Sequence, residues 1–199
     1  MSQPPAPLRD PMLGCALVSL GFLALVLVRI GLVPAPYFDE VHYVPAARAL
    51  LEGGGWLNRE HPPLGKELIA LGMALLGDGP LGWRIMPALA GALTLFAAMR
   101  ALWFASHARF ATLAYGVLLS SGGFLFVQAR IAMLDGFMAL FLMVALWQLA
   151  AAVRQPETGR WRLALAGIAL GLSLAAKWNV APLVMLPGLA FLAARLAAG

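Results

Sequence analysis

The chain has 199 residues, of which 62% are hydrophobic and 12% charged, with a mean hydropathy of +0.85, a composition that excludes a soluble globular domain. The formal net charge of +5 comes from 14 Lys and Arg spread singly between apolar runs, with no basic stripe, which excludes a nucleic-acid surface. A single cysteine, Cys15, excludes an internal disulfide and any cysteine-based metal site.

Residues 1–11 read as a cytoplasmic tail. Residues 12–33, Met12 to Val33, form the first transmembrane helix: the run exceeds the ~20 residues needed to cross a bilayer, and its only charge is Arg29. No small-residue cleavage site follows it and similar runs recur, which argues against a signal peptide. Residues 34–80 then form a long external loop, and 81–199 hold four to five further transmembrane helices. Their apolar stretches are Leu81 to Phe104, Phe110 to Val127, Ala132 to Val153, Leu163 to Ala176 and Val180 to Ala197, the last two forming either a tight hairpin or one broken unit. The total is five or six crossings.

Short loops set the orientation. Arg109, Arg154, Arg160 and Arg162 lie in two of them, with Arg9 in the tail and Arg100 at a helix end, and these belong on the cytoplasmic side. The opposite side receives residues 34–80. There Asp39 can cap a helix running to about Leu51, although Pro45 kinks it or delays its start. The glycines of GGGW break that helix. In HPPLGKELIALGMALLGDGP the prolines suit a helix start at Leu64, and the stretch to Leu76 spans only ~20 Å, too short to cross. Two interfacial helices are therefore expected in the external loop.

Several charges fall at that same outer level: Arg29, Arg84, Arg130 with Asp135, and Lys177 beside Trp178. Ionisable groups at this depth pair with one another or serve a site, and short carboxylates such as Asp39, Glu40 and Asp135 cannot snorkel as Arg and Lys do. Asp135 reads equally as a helix cap, as the ion-pair partner of Arg130 or as a catalytic group. A metal site built from carboxylates with His42 and His61 has no close histidine spacing to support it. Carboxylates and guanidinium groups at an outer membrane surface suit group transfer from a lipid-linked phosphate. The acceptor hydroxyl needs a general base, and the leaving phosphate needs cations.

At these residues the sequence resembles the protein O-mannosyltransferases, members of the GT-C class of integral membrane glycosyltransferases. RIGLVPAPYFDEVHY is similar to the family's first-helix arginine and Asp-Glu pair, and HPPLGKELIALGMALLGD to its His-Pro-Pro-Leu-Gly-Lys block. WRIMPALAGAL, ARIAMLDGFM and GLSLAAKWN resemble three later blocks in the family's order.

The resemblance implies an all-α integral membrane fold, a GT-C-type bundle with interfacial helices in the first external loop. It implies a polyprenyl- or dolichyl-phosphate sugar donor, usually mannose, and inverting transfer to a Ser or Thr hydroxyl of an exported protein. Asp39 is then the general base and Glu40 its orienting partner. Arg29, Arg84, Arg130, Lys66 and His61 are candidates for positioning the carboxylates or contacting donor phosphate, with Asp135, Lys177 and Trp178 supporting. No metal or other cofactor is implied, and the expected surroundings are the lipid bilayer, the lipid-linked donor and an acceptor protein segment. The expected setting is a bacterial inner membrane with the site on its periplasmic face. Family members continue through further helices, so a longer frame or a second chain is expected to complete the site. Two alternatives are a GT-C enzyme that transfers aminoarabinose or another sugar to lipid A or a glycan, and an inactive membrane accessory subunit.

Overall fold

The structure, a computed structural model, describes residues 9–197; residues 1–8 of the expected cytoplasmic tail lie outside the described residues. Its helices are α1 (Met12–Leu27), α2 (Glu40–Leu51), α3 (Leu64–Leu76), α4 (Pro80–Ser106), α5 (Arg109–Ser121), α6 (Gly123–Gln128), α7 (Leu134–Arg154), α8 (Gly159–Ala176) and α9 (Ala181–Ala197). No strand occurs among the described residues.

Helix α4 is the spine. Pro80 at its first position supplies a preset φ where no N–H is needed, and His107 ends it in a left-handed conformation with φ 53°. At 27 residues it is about 40 Å long, and it and the 21-residue α7 are long and apolar enough to cross a membrane by length and composition. Small residues on α4 let its neighbours approach closely, as membrane packing requires. Ala88, Ala92, Leu95 and Met99 meet Cys15, Phe22 and Val26 of α1, and Ala90 joins a second cluster with Leu134 and Phe137 of α7. Large apolar side chains remain exposed around the bundle, among them Leu13, Leu17 and Leu20 of α1, Leu118 of α5 and Ile168 of α8. Such a surface suits lipid and not water.

Two of the apolar runs fold differently from the continuous helices expected, and the last two stretches stay separate as read from the sequence. The first stops at Leu27 instead of Val33, because the next residues form turns around Arg29 at φ 57° and the Arg130 guanidinium takes the carbonyls of Val26 and Val28. The run from Phe110 is split by an extended Gly122 into α5 and α6. A short turn at Trp178–Val180 separates α8 from α9.

Helices α2 and α3 lie across one end of the bundle, α3 resting on the starts of α4 and α7. Gly72 of α3 sits so close to the Gly82 carbonyl that a Cβ would collide with it. Asp39 occupies the position before α2 but makes no capping bond, since its backbone is already helical. The helix starts at Glu40 and runs through Pro45, so the proline does not delay it. Polar side chains gather at the two bundle ends. Arg84 and Arg100, on α4, are about 24 Å apart along its axis; Arg84 bonds to the α2 end, whereas Arg100 pairs with Asp10. At the Arg100 end, Arg154 caps the Phe104 and Ala105 carbonyls.

Candidate active site

The first residue of α2, Glu40, is fully buried. Its Oε1 accepts from Arg84 Nε at 2.8 Å and from the Ala132 backbone N–H at 2.7 Å, and its Oε2 accepts from Arg84 Nη2 at 2.7 Å and the Tyr37 N–H at 2.8 Å. All of the carboxylate's ordinary lone-pair sites are thus occupied. Arg84 is equally saturated, because its remaining donors go to the carbonyls of Ile30, Val33 and Ala35. One ion pair therefore ties together the segment after α1, the start of α2, α4 and the loop before α7. Of the two roles open to Arg84, the geometry gives it carboxylate holding. Its guanidinium has no donor left for a phosphate.

Lys66 does not face a ligand either. Its ammonium, in a side chain with no exposure, donates to the carbonyls of Leu57 at 3.1 Å, Asn58 at 2.6 Å and His61 at 2.9 Å. Those bonds use its three protons. The lysine of the HPPLGK block is a latch on the loop that precedes α3, and burial holds its pKa below the ordinary lysine value. The same loop carries His61, whose ring packs edge-on against Tyr43 with centroids 5.8 Å apart. His61 Nδ1 is buried without a hydrogen-bond partner among the described residues. Burial, and then the nearby positive charge of Lys177, hold this imidazole below its usual pKa and keep it neutral.

Asp39 differs from its neighbour. It is half-buried, and the only side-chain contact described for its carboxylate is a long one of 3.5 Å, from the Tyr43 hydroxyl to Oδ2. Its other lone pairs have no partner among the described residues. Tyr43 is itself buried, and its proton is held more tightly than usual by burial and by the charges of Asp39 and Asp135. Asp135 lies in the first turn of α7 and pairs with Lys177 Nζ at 2.7 Å, in a half-buried bridge that closes α7 onto α8. Of the readings open to Asp135, the ion pair with Arg130 does not form. Arg130 points instead to the end of α1, where its Nη1 donates to Val26 and Val28. Tyr43 and His61 thus join Asp39, Asp135 and Lys177 into one polar cluster, and Trp178, next to Lys177 in sequence, is largely exposed.

Arg29 and Arg130 form a separate group. They line a cleft of about 340 Å³ with Val33, Tyr37, Phe126 and one edge of Arg84. None of Asp39, His61, Asp135 and Lys177 lines it. Sequence reasoning did not single out Tyr37, Tyr43 or the Ala132 N–H. The four-residue spacing from Asp39 to Tyr43 on α2 was the one available signal, since it puts both on one helix face.

The fold is that of the GT-C class. Over 89% of this chain and 35% of the other, it superposes with a TM-score of 0.72 on the crystal structure of ArnT from Cupriavidus metallidurans in the apo state, at 24% sequence identity. The chain belongs to the dolichyl-phosphate-mannose-protein mannosyltransferase family, whose family model matches residues 60–197. A polyprenol-phosphate-mannose–protein mannosyltransferase of Corynebacterium glutamicum is 35% identical, over 72% of this chain and 34% of that protein. An undecaprenyl phosphate-alpha-4-amino-4-deoxy-L-arabinose arabinosyl transferase of Pseudomonas aeruginosa is 31% identical, over 87% of this chain and 34% of that protein. The chain spans about a third of the length of these relatives.

Proposed function

We propose that this chain carries the general base of a glycosyltransferase that moves mannose from a polyprenyl-phosphate carrier to a Ser or Thr hydroxyl of an exported protein. The observation that supports it is the contrast within one dipeptide: Glu40 has every lone-pair site filled, while Asp39 next to it keeps most of its carboxylate open. Glu40 and Arg84 fix the backbone from which Asp39 projects. Asp39 takes the proton of the acceptor hydroxyl as its oxygen attacks the anomeric carbon of the sugar. The bond from that carbon to the phosphate oxygen breaks, the phosphate leaves with the electron pair, and the single displacement inverts the centre. Lys177 gives the Asp39 cluster positive charge, and the neutral His61 adds none. The loop charges support a setting in which this end of the bundle meets the periplasmic face of a bacterial inner membrane.

The similarity to the Pseudomonas aeruginosa transferase supports a second reading, in which the sugar is aminoarabinose and the acceptor is a lipid or glycan. One experiment separates the two. The complete protein, reconstituted in lipid, is given polyprenyl phosphomannose with a Ser/Thr-rich peptide, or the aminoarabinose donor with lipid A. Mannosyl peptide from the first mixture is the expected product. Product from the second mixture alone replaces this reading with the other, and product from neither rejects both.

A further inference from the structure

We propose that a cavity of about 450 Å³ between α4, α7 and α8 holds an acyl chain of a diacyl glycerophospholipid, whose ester carbonyls are bound by Trp147 and Gln148. Its walls are apolar side chains such as Phe96, Leu140 and Leu172, and only Trp147 and Gln148 bring polar groups to it. Both present donors without acceptors. Trp147 Nε1 is buried with no hydrogen-bond partner among the described residues, while its ring packs edge-on against Phe96 with centroids 5.8 Å apart. Gln148 is 8% exposed, and its Oε1 accepts from Arg162 Nη1 at 3.1 Å. An arginine only donates, so the amide is oriented with Nε2 away from it, and that nitrogen has no partner among the described residues. Buried donors without acceptors are rare in folded proteins, and hydrocarbon offers no water to satisfy them. The group that fits is an acceptor carried on an apolar body.

The order of groups along the helices narrows the class. Arg154 ends α7 and Arg162 lies in the first turn of α8, at the same end of the bundle. Arg162 spends three of its five N–H groups on Thr158, Gln148 and Gln155, which leaves two for a headgroup phosphate. Trp147 and Gln148 lie about 10 Å deeper than Arg154 along α7, and Leu172 lies about 15 Å deeper than Arg162 along α8. Positive charge, then donors, then apolar wall is the order in which a glycerophospholipid presents its phosphate, ester carbonyls and acyl chain. A polyprenyl phosphate carries no ester and leaves both donors unmatched. The cavity opens toward the Arg100 end of the bundle, opposite the Glu40–Arg84 pair, so binding here does not depend on the proposed sugar transfer and is tested apart from it.

Native mass spectrometry of the full protein, released from micelles doped with phosphatidylglycerol, its ether-linked analogue or undecaprenyl phosphate, reads the site directly. The wild type should retain ester phosphatidylglycerol about fivefold better than the ether analogue, the effect of one neutral hydrogen bond, and undecaprenyl phosphate should not displace it. Trp147→Phe keeps a ring against Phe96 and removes the N–H, so it should erase the ester preference and leave retention of the ether lipid unchanged. Ile168→Trp, at an exposed position in the cavity wall, should block the chain and lower retention of both lipids. Leu118→Trp, exposed on α5 away from the cavity, should lower neither. Equal retention of ester and ether lipid by the wild type, an ester preference that survives in Trp147→Phe, or displacement by undecaprenyl phosphate overturns the site. A wild type that retains no phosphatidylglycerol overturns it too, and gives the cavity to another part of the full protein.

Discussion

Glu40 and Arg84, 44 residues apart in sequence, meet in the interior through hydrogen bonds of 2.8 and 2.7 Å, with side-chain exposures of 0% and 3%. Neither charge is tolerable there without the other. Arg84→Ala should therefore cost about 3–5 kcal/mol, because it leaves a buried carboxylate unpaired. Arg48 pairs with Asp78 in a bridge about 40% exposed on both sides, so Arg48→Ala should cost ~1 kcal/mol or less. Denaturant titration of both variants in the same detergent checks the difference. Equal losses would mean that the buried pair is not the lock it is taken to be.

Acidification should weaken the site end through His61. Its folded-state pKa lies below the ordinary 6.5, so the unfolded chain binds the proton more readily. Stability is then greatest above about 6.5 and falls as pH drops through the lowered folded value. Melting curves between pH 7.5 and 5 should show a larger acid loss for the wild type than for His61→Gln. Identical slopes would remove His61 from the account.

The bridge between Asp135 and Lys177 should couple α7 to α8. A double-mutant cycle with Asp135→Asn and Lys177→Met should give a coupling of roughly 1 kcal/mol or more, above the exposed-pair range because both partners are half-buried. Coupling within error of zero would show that the pair is solvated.

The two ends of α4 should be reached from opposite sides of the membrane. In a Cys15→Ser background, where the buried native thiol is gone, a cysteine at Glu52 should react with an impermeant maleimide from outside. One at Glu157 should react only after the inner side is opened. Position 58 is a poorer reporter, because the Asn58 carbonyl is held by Lys66. The reverse labelling pattern would turn the candidate site to the cytoplasm.

The helices were legible where composition alone decides them. Leu64–Leu76 is bounded by prolines before and by Gly77 at φ 88° after, so both ends are written in residue types. The end of α1 was not legible, because the groups that stop it are the carbonyls of Val26 and Val28 bonded to an arginine 104 and 102 residues away. The same holds for the site. Sequence places Arg29, Arg84, Arg130 and Lys66 at one level, but which cation is saturated depends on backbone carbonyls brought in by the fold. Lys66 read as part of a helix-starting turn and as a candidate phosphate contact, and its ammonium is bonded to three loop carbonyls. Asp135 read as a helix cap, a partner of Arg130 or a catalytic group, and it is paired with Lys177 just past the end of α8. The Asp-Glu pair was recognised, yet the division of labour within it needed the hydrogen bonds.

The most direct test of that division is the turnover of Asp39→Asn in the complete protein, alongside its melting temperature and its binding of the lipid-linked sugar. Among the described residues Asp39 makes one long side-chain contact, so the substitution should leave stability and donor binding near wild type. Transfer should fall about 10²–10⁴-fold, the loss of a general base. Near-normal turnover by a folded, donor-binding Asp39→Asn protein would contradict the account.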